Sequence, residues 1–300
     1  MKTYILLFIV FILGFQFQIQ AQAPQDALHP GSKIYTYDSA ERKINCNRRQ
    51  VLVYLPQPLN PGTAVLAFGH GQSLNESHYI QTYVHLAKKG IAVVHTDYST
   101  GFFDTNWTRM ARDYTSQLKC VLDQIPELNK NAVVYSGHSK GAYVAGVAAG
   151  LAFKENLNPK PASVLLLNSA GLDLNALNFL DPKVEMTVVF SDKDSIVDQD
   201  ISDELYSSSP SLRKQFIMVK SYPASSGKAL VANHFWPLTK RSLLGGTTEN
   251  ALHYHSLWKW LVAAAQDANN GAEGLNPFLY GNRTEDKGLD SLTDTVIKNF

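Results

Sequence analysis

Surplus charge is the first thing this chain lacks. Its 27 Lys and Arg stand against 26 Asp and Glu, leaving +1 over 300 residues, so it offers no general basic field for a nucleic acid. Cysteine is scarce too: Cys46 and Cys120 are the only two, with no Cys-x-x-Cys pair, which argues against a thioredoxin-like centre or a cysteine-rich zinc site. No local spacing of metal-ligating residues gathers the histidines, so neither a metal nor another cofactor is expected. Gly and Pro, 19 and 13 in number, dominate no tract, which excludes collagen-like repeats and a long flexible linker. Past the N-terminus no apolar run approaches the ~20 residues that cross a bilayer, so no stable membrane insertion is expected.

What is present begins with a leader. Lys2 precedes an apolar run from Tyr4 to Phe15, which Gln16, Gln18 and Gln20 then interrupt before Ala21-Gln22-Ala23. This pattern predicts a signal peptide over residues 1–23, cleaved near Ala23, and a secreted or periplasmic mature chain starting at Pro24. In that oxidising setting an even number of cysteines makes a Cys46–Cys120 disulfide an expectation, although two free buried cysteines fit the sequence as well. Asn75, Asn106 and Asn282 each begin a glycosylation acceptor triplet, meaningful only in a eukaryotic secretory route. A hydrophobic content of 45% is enough for one large core over residues 24–269. Residues 270–300, richer in Gly, Asn and charge, read as an extension packed on that core or partly flexible, with Phe278-Leu279-Tyr280 and Val296-Ile297 as apolar anchors. Oligomeric state is not legible.

Inside the core region, short apolar strands alternate with helical stretches. Lys33–Tyr37 and Val51–Leu55 predict strands near a sheet edge. Ala64–Phe68 predicts a buried strand that runs into Gly69-His70-Gly71-Gln72-Ser73, where small residues permit a tight exit and bare backbone N–H groups. A helix over Tyr79–Lys89, a strand over Ile91–His95 and a helix over Trp107–Ile125 follow, with Cys120 on the last. Ala132–Ser136 is the next strand, and it breaks into Gly137-His138-Ser139-Lys140-Gly141 before a helix from Ala142 to Phe153. Strand, sharp turn and helix in this order form a nucleophile-elbow pattern, in which flanking glycines relieve crowding and the turn lifts a serine Oγ above the sheet. Further strands at Ala162–Leu167, Val184–Phe190 and Gln215–Val219 are followed by Ser191-Asp192-Lys193-Asp194-Ser195 and Asn233-His234-Phe235-Trp236-Pro237, and a terminal helix is expected over Ala251–Ala265.

Serine, aspartate and histidine thus follow separate strands in one chain order. The chain resembles the α/β-hydrolase superfamily over about Ile34 to Asp267, specifically its exported esterases, lipases and polyester-hydrolase-like or chlorophyllase-like members. The resemblance implies an α/β fold with a mostly parallel central sheet covered by helices on both faces and no large lid. It also implies a serine carboxylic-ester hydrolase with Ser139 as nucleophile, Asp194 as acid and His234 as base. Lys140 and Gln72 would then supply the oxyanion N–H groups, with Gly71 the alternative to Gln72. The chemistry agrees: Ser139 needs a base, His234 can serve near neutral pH, and a carboxylate can hold the imidazolium that results.

Rivals exist for two of these roles. Asp192 and Asp198 lie close to Asp194 in sequence, and His253 and His255 compete with His234, although the terminal helix suggests surface solvation or packing for them. His70 and His138 read as neighbours of the site that satisfy local hydrogen bonds. The Lys140 side chain is expected to point to solvent, or else to favour an acidic substrate group or alter the serine environment. Phe102, Phe103, Trp107, Phe235 and Trp236 are candidates to line a substrate pocket, or to pack the scaffold beneath the loops. The expected partner is a small or polymeric ester in an open cleft. The competing readings are an exported serine peptidase and a catalytically silent binding protein on the same fold.

Overall fold

Among the described residues, eight strands build a single sheet in the order β1-β2-β4-β3-β5-β6-β7-β8. The computed structural model describes residues 23–46, 49–98, 104–221, 229–241 and 245–271. Residues 1–22 of the expected leader, Phe102, Phe103 and residues 272–300, Asn282 among them, lie outside the described residues. β1 (Asp38–Cys46) and β2 (Arg49–Gln57) form an antiparallel hairpin, and β2 also pairs antiparallel with β4 (Ala92–Thr96). From β4 onward every pairing is parallel, through β3 (Thr63–Gly69), β5 (Leu128–His138), β6 (Ser163–Leu167), β7 (Glu185–Ser191) and β8 (Lys214–Val219).

Alternation along the strands splits the core in two. Val65, Ala67, Val133, Tyr135, Val164 and Leu166 face one layer, where they meet α2 (Trp107–Gln124), α3 (Lys140–Lys154) and α5 (Gln199–Ser208). Leu66, Phe68, Val134, Leu165 and Leu167 face the other, against α1 (Ile80–Lys88) and α6 (Trp258–Asn269). All seven residues of β3 are buried, as expected of a parallel strand covered on both faces. Each large apolar side chain so buried stabilises the fold by about 1.5–3 kcal/mol.

The order 4-3-5 matters most for function. From β3 the chain crosses to β4 on one side, then returns to place β5 on the other, so the loops leaving β3 and β5 diverge around a crevice at the carboxyl ends of the strands. Such topological switch points are where open α/β sheets hold ligands. The two glycine-bearing loops after β3 and β5 stand there.

One sequence expectation needs correction. Lys33–Tyr37 is not a strand, because its surroundings use its polar groups otherwise: Lys89 Nζ donates to Ser32 Oγ and to the Ile34 carbonyl at 2.9 Å, and Tyr37 N–H donates to the Lys88 carbonyl. The first strand is instead the more polar Asp38–Cys46, tolerable because it lies at the sheet edge with much of its surface exposed. The terminal helix starts at Ala251 as expected, but His253–Leu257 take a π-type turn before α6 continues to Asn269. Cys46 closes β1 and bonds Cys120 on α2 (S–S 2.09 Å), tying the hairpin to the helix across a 74-residue separation.

Candidate active site

Ser139 stands between β5 and α3 with φ 58° and ψ −122°, a left-handed conformation that a non-glycine residue adopts only where the surroundings force it. The surroundings are glycines in contact. A Cβ at Gly137 would lie 2.4 Å from Gly141 C and O, and one at Gly141 would lie 2.1 Å from the Gly69 carbonyl oxygen. The two crevice loops therefore touch backbone to backbone, and any side chain at these positions would push them apart. Ser139 N–H donates to the Leu167 carbonyl at 2.9 Å, while its own carbonyl accepts from Ala142, Tyr143 and Ala170. The turn is thereby pinned to β6 and to the first turn of α3.

The loops after β7 and β8 bring the other two groups. Lys193 and Asn233 form an isolated parallel bridge beyond the strands, which sets Asp194 and His234 side by side. His234 Nδ1–H donates to Asp194 Oδ2 at 2.7 Å, and His234 Nε2 lies 2.9 Å from Ser139 Oγ. The carboxylate fixes the tautomer: with the proton on Nδ1, Nε2 carries the lone pair and accepts from the serine hydroxyl. Both side chains are sealed from water, at 2% exposure for His234 and 0% for Asp194.

Asp194 stays ionised despite this burial. Burial pushes its carboxyl up, but the hydrogen bond from His234 and the N–H groups of Ile196 and Val197 outweigh it and hold the carboxyl below its usual value. Oδ1 accepts both backbone donors, at 2.8 and 3.1 Å, while Oδ2 also accepts from Asn168 Nδ2 at 2.8 Å. Asn168, in a left-handed conformation at the end of β6 (φ 45°), donates to Ser191 Oγ as well. Sequence reasoning missed this residue. Its signal was its place directly after a buried strand that neighbours the elbow, where a side-chain amide is out of keeping with Ser163–Leu167.

The rivals are occupied elsewhere. Asp192 Oδ1 accepts from Ser221 N–H and Oγ–H, and Asp198 is exposed at the start of α5. His253 and His255 are buried, not solvated. His253 Nε2 lies 3.2 Å from the Leu238 carbonyl, and burial takes its pKa down to about 4. His255 packs edge-on to His29.

The loop after β3 has its own fixings. Gly71 N–H donates to Tyr79 Oη at 3.1 Å, and the Tyr98 hydroxyl donates to the His70 carbonyl at 2.6 Å. Gly71 sits against the serine, since a Cβ there would lie 3.5 Å from Ser139 Cβ. Gln72 is partly exposed. Of the aromatic pocket candidates, Phe235 packs edge-on to His234 at 5.1 Å, and Trp107 lies 4.5 Å from Tyr143 in the first turn of α3. Trp236 takes the other reading offered for it and packs the scaffold. It is fully buried in the α1/α6 core layer, because Ala232 and Leu238 on either side anchor the segment there and turn the indole inward.

The solvent-facing expectation for Lys140 is corrected. The residue is only 3% exposed, and its Nζ sits 5.5 Å over the Trp107 ring. Burial lowers its pKa, Asp104 raising it in part. The ammonium thus sits over an indole face instead of in open solvent, a cation–π placement.

No protein-family model matches this chain, and no curated protein matches it. Among the described residues no group of His, Cys, Asp and Glu is arranged to hold a metal ion, and no helix is long and apolar enough to cross a membrane. The site's chemistry rests on a hydroxyl, an imidazole with its lone pair facing that hydroxyl, and a buried ionised carboxylate.

Proposed function

We propose that this chain is an exported serine hydrolase of the α/β-hydrolase type that cleaves carboxylic esters through an acyl-enzyme intermediate. The observation that carries the reading is the unbroken line from Ser139 through His234 to Asp194, with contacts of 2.9 and 2.7 Å. Its three members leave three different strands, so only the fold brings them together. The mostly parallel sheet is compatible with that fold type, and the disulfide fits an oxidising compartment.

In this reading Ser139 Oγ bonds to the ester carbonyl carbon as its proton passes to His234 Nε2. Asp194 keeps its charge and stabilises the imidazolium. The carbonyl oxygen becomes an oxyanion, which preset N–H donors stabilise more than mobile water would. One donor is the Lys140 amide at the N-terminus of α3, where the helix dipole also favours negative charge. The other is the Gln72 amide, preferred over Gly71 because the Gly71 N–H already donates to Tyr79. Collapse breaks the C–O bond, and the leaving alkoxide takes the proton from His234. Water then repeats the sequence on the acyl-enzyme and releases the acid. The chain's own residues supply every group, so no cofactor enters. Trp107 and Phe235 flank the site and suit the apolar part of a small or polymeric ester.

The test is pre-steady-state hydrolysis of a chromogenic short-chain ester, beside long-chain esters, polyester film and peptides. A burst of alcohol release equal to the enzyme concentration is expected, abolished in Ser139→Ala. Cleavage of peptides but no ester would make the chain a peptidase, and no cleavage at all would leave a binding protein.

A further inference from the structure

His138 lies between the nucleophile's strand and the base's loop with both ring nitrogens engaged. Nε2 is 2.7 Å from the His234 carbonyl oxygen, and Nδ1 is 2.9 Å from Tyr79 Oη. A carbonyl has no proton to give, so Nε2 is the protonated nitrogen. The ring is fully buried, and burial, with His234 adding to it, takes the His138 pKa down to about 3. The imidazole is therefore neutral and Nδ1 holds a lone pair. Tyr79 must donate its hydroxyl proton to Nδ1, which leaves the phenol oxygen to accept the Gly71 N–H. The phenol is itself fully buried, and burial pushes its pKa up, so the proton stays in place.

The hydrogen bonds thus form one chain with one polarity, from the Gly71 N–H through Tyr79 and His138 to the His234 carbonyl. Its ends are the loop after β3 and the main chain of the base. The loop is held from other sides as well. The His70–Gly71 peptide is gripped at its N–H by Tyr79 and at its carbonyl by Tyr98. In the next peptide the Gly71 carbonyl accepts from His70 Nδ1–H at 3.0 Å. Because the N–H and C=O of a trans peptide point in opposite directions, holding the Gly71 carbonyl also sets the direction of the Gln72 N–H.

We propose that Tyr79 and His138 are positioning residues for acyl transfer, tying the loop that carries the oxyanion donor to the backbone of the base so that donor, nucleophile and base share one frame. This rests on the serine-hydrolase reading. Neither residue touches the reacting atoms; both act through Gly71 and His234.

The test starts from wild-type turnover of a short-chain ester. Tyr79→Phe keeps the ring and its contacts with Phe68 and Tyr83 and cuts only the link. The expected result is a kcat about tenfold lower with KM within about twofold, the scale of one well-placed hydrogen bond. His138→Leu should lose a similar factor, and the double variant no more than either alone, since both cut the same chain. His138→Gln, whose amide offers one acceptor and one donor, should restore most of the kcat that His138→Leu loses. A Tyr79→Phe enzyme at the wild-type rate, or losses that multiply in the double variant, would overturn the proposal. Should His138→Leu fail to fold, nitrogen-15 NMR of wild-type His138 decides independently: the Nε2–H tautomer is expected, and an Nδ1–H tautomer contradicts the chain. A wild type inactive on every ester sinks the hydrolase reading and this proposal together, whereas an active wild type with an unaffected Tyr79→Phe sinks the positioning role alone.

Discussion

Strand β7 carries a buried carboxyl at its first residue and another just past its last, and the protein treats them in opposite ways. Glu185, 1% exposed, faces Asp267 of α6, with Arg213 Nη2 3.5 Å away. Burial pushes its carboxyl up, Asp267 pushes it further, Arg213 offsets part of this, and its pKa reaches about 8. Asp194, whose side chain is 0% exposed, is instead held below its ordinary value. Burial alone therefore does not make a carboxyl into a working anion. The difference is donors: Asp194 accepts from Ile196, Val197, Asn168 and His234, whereas Glu185 has a second carboxyl as its neighbour. At one end of the strand burial and a second carboxyl favour the protonated acid, and at the other the donors present a fixed negative charge to an imidazole.

Exchanging each acid for its amide gives the largest contrast. Asp194→Asn should lower kcat by about a thousand- to ten-thousandfold, because the amide supports the wrong His234 tautomer. Glu185→Gln should leave kcat unchanged; steady-state ester kinetics check both. A destabilisation that touches neither carboxyl serves as the reference. Reducing Cys46–Cys120, or replacing both by Ser, should cost about 4 kcal/mol from loop entropy over this separation, read by denaturant unfolding, with kcat intact below the transition. Asn168→Leu removes one donor from Asp194, so the carboxyl's pKa should rise and kcat fall about tenfold, with a loss of about 1–3 kcal/mol in stability.

The smallest effect is the pH dependence of stability, where the two acids have opposite signs. Asp194, depressed in the folded state, contributes stability at neutral pH that is lost as pH falls through its folded value. Glu185, raised in the folded state, contributes stability that is complete below its unfolded value and is lost as pH rises toward about 8. Glu185→Gln should flatten the decline between about pH 5 and 8 in thermal unfolding scans while leaving the acid limb in place. An unchanged neutral limb would show that Arg213 neutralises Glu185 after all.

How much of this could be read from the sequence follows from what each residue depends on. Ser139, Asp194 and His234 were legible because each lies just past an apolar strand, and strand order carries them to one end of the sheet. The glycine loops were legible because close backbone approach admits no other residue. Tyr79 and Asn168 were not, since a tyrosine on a helical stretch and an asparagine after a strand acquire their roles only through partners distant in sequence. The Lys140 side chain misled because charge predicts solvent, and nothing local reveals that Trp107 covers it. Lys33–Tyr37 misled because alternation cannot distinguish a strand from a strap whose Ile34 carbonyl is claimed by Lys89.

The most direct measurement is the intact mass of the folded protein after treatment with a serine-directed fluorophosphonate. A single adduct on Ser139 is predicted for the wild type, formed far more slowly in Asp194→Asn and absent in Ser139→Ala. A folded wild type that takes up no label, or takes it up equally well in Ser139→Ala, would contradict the account.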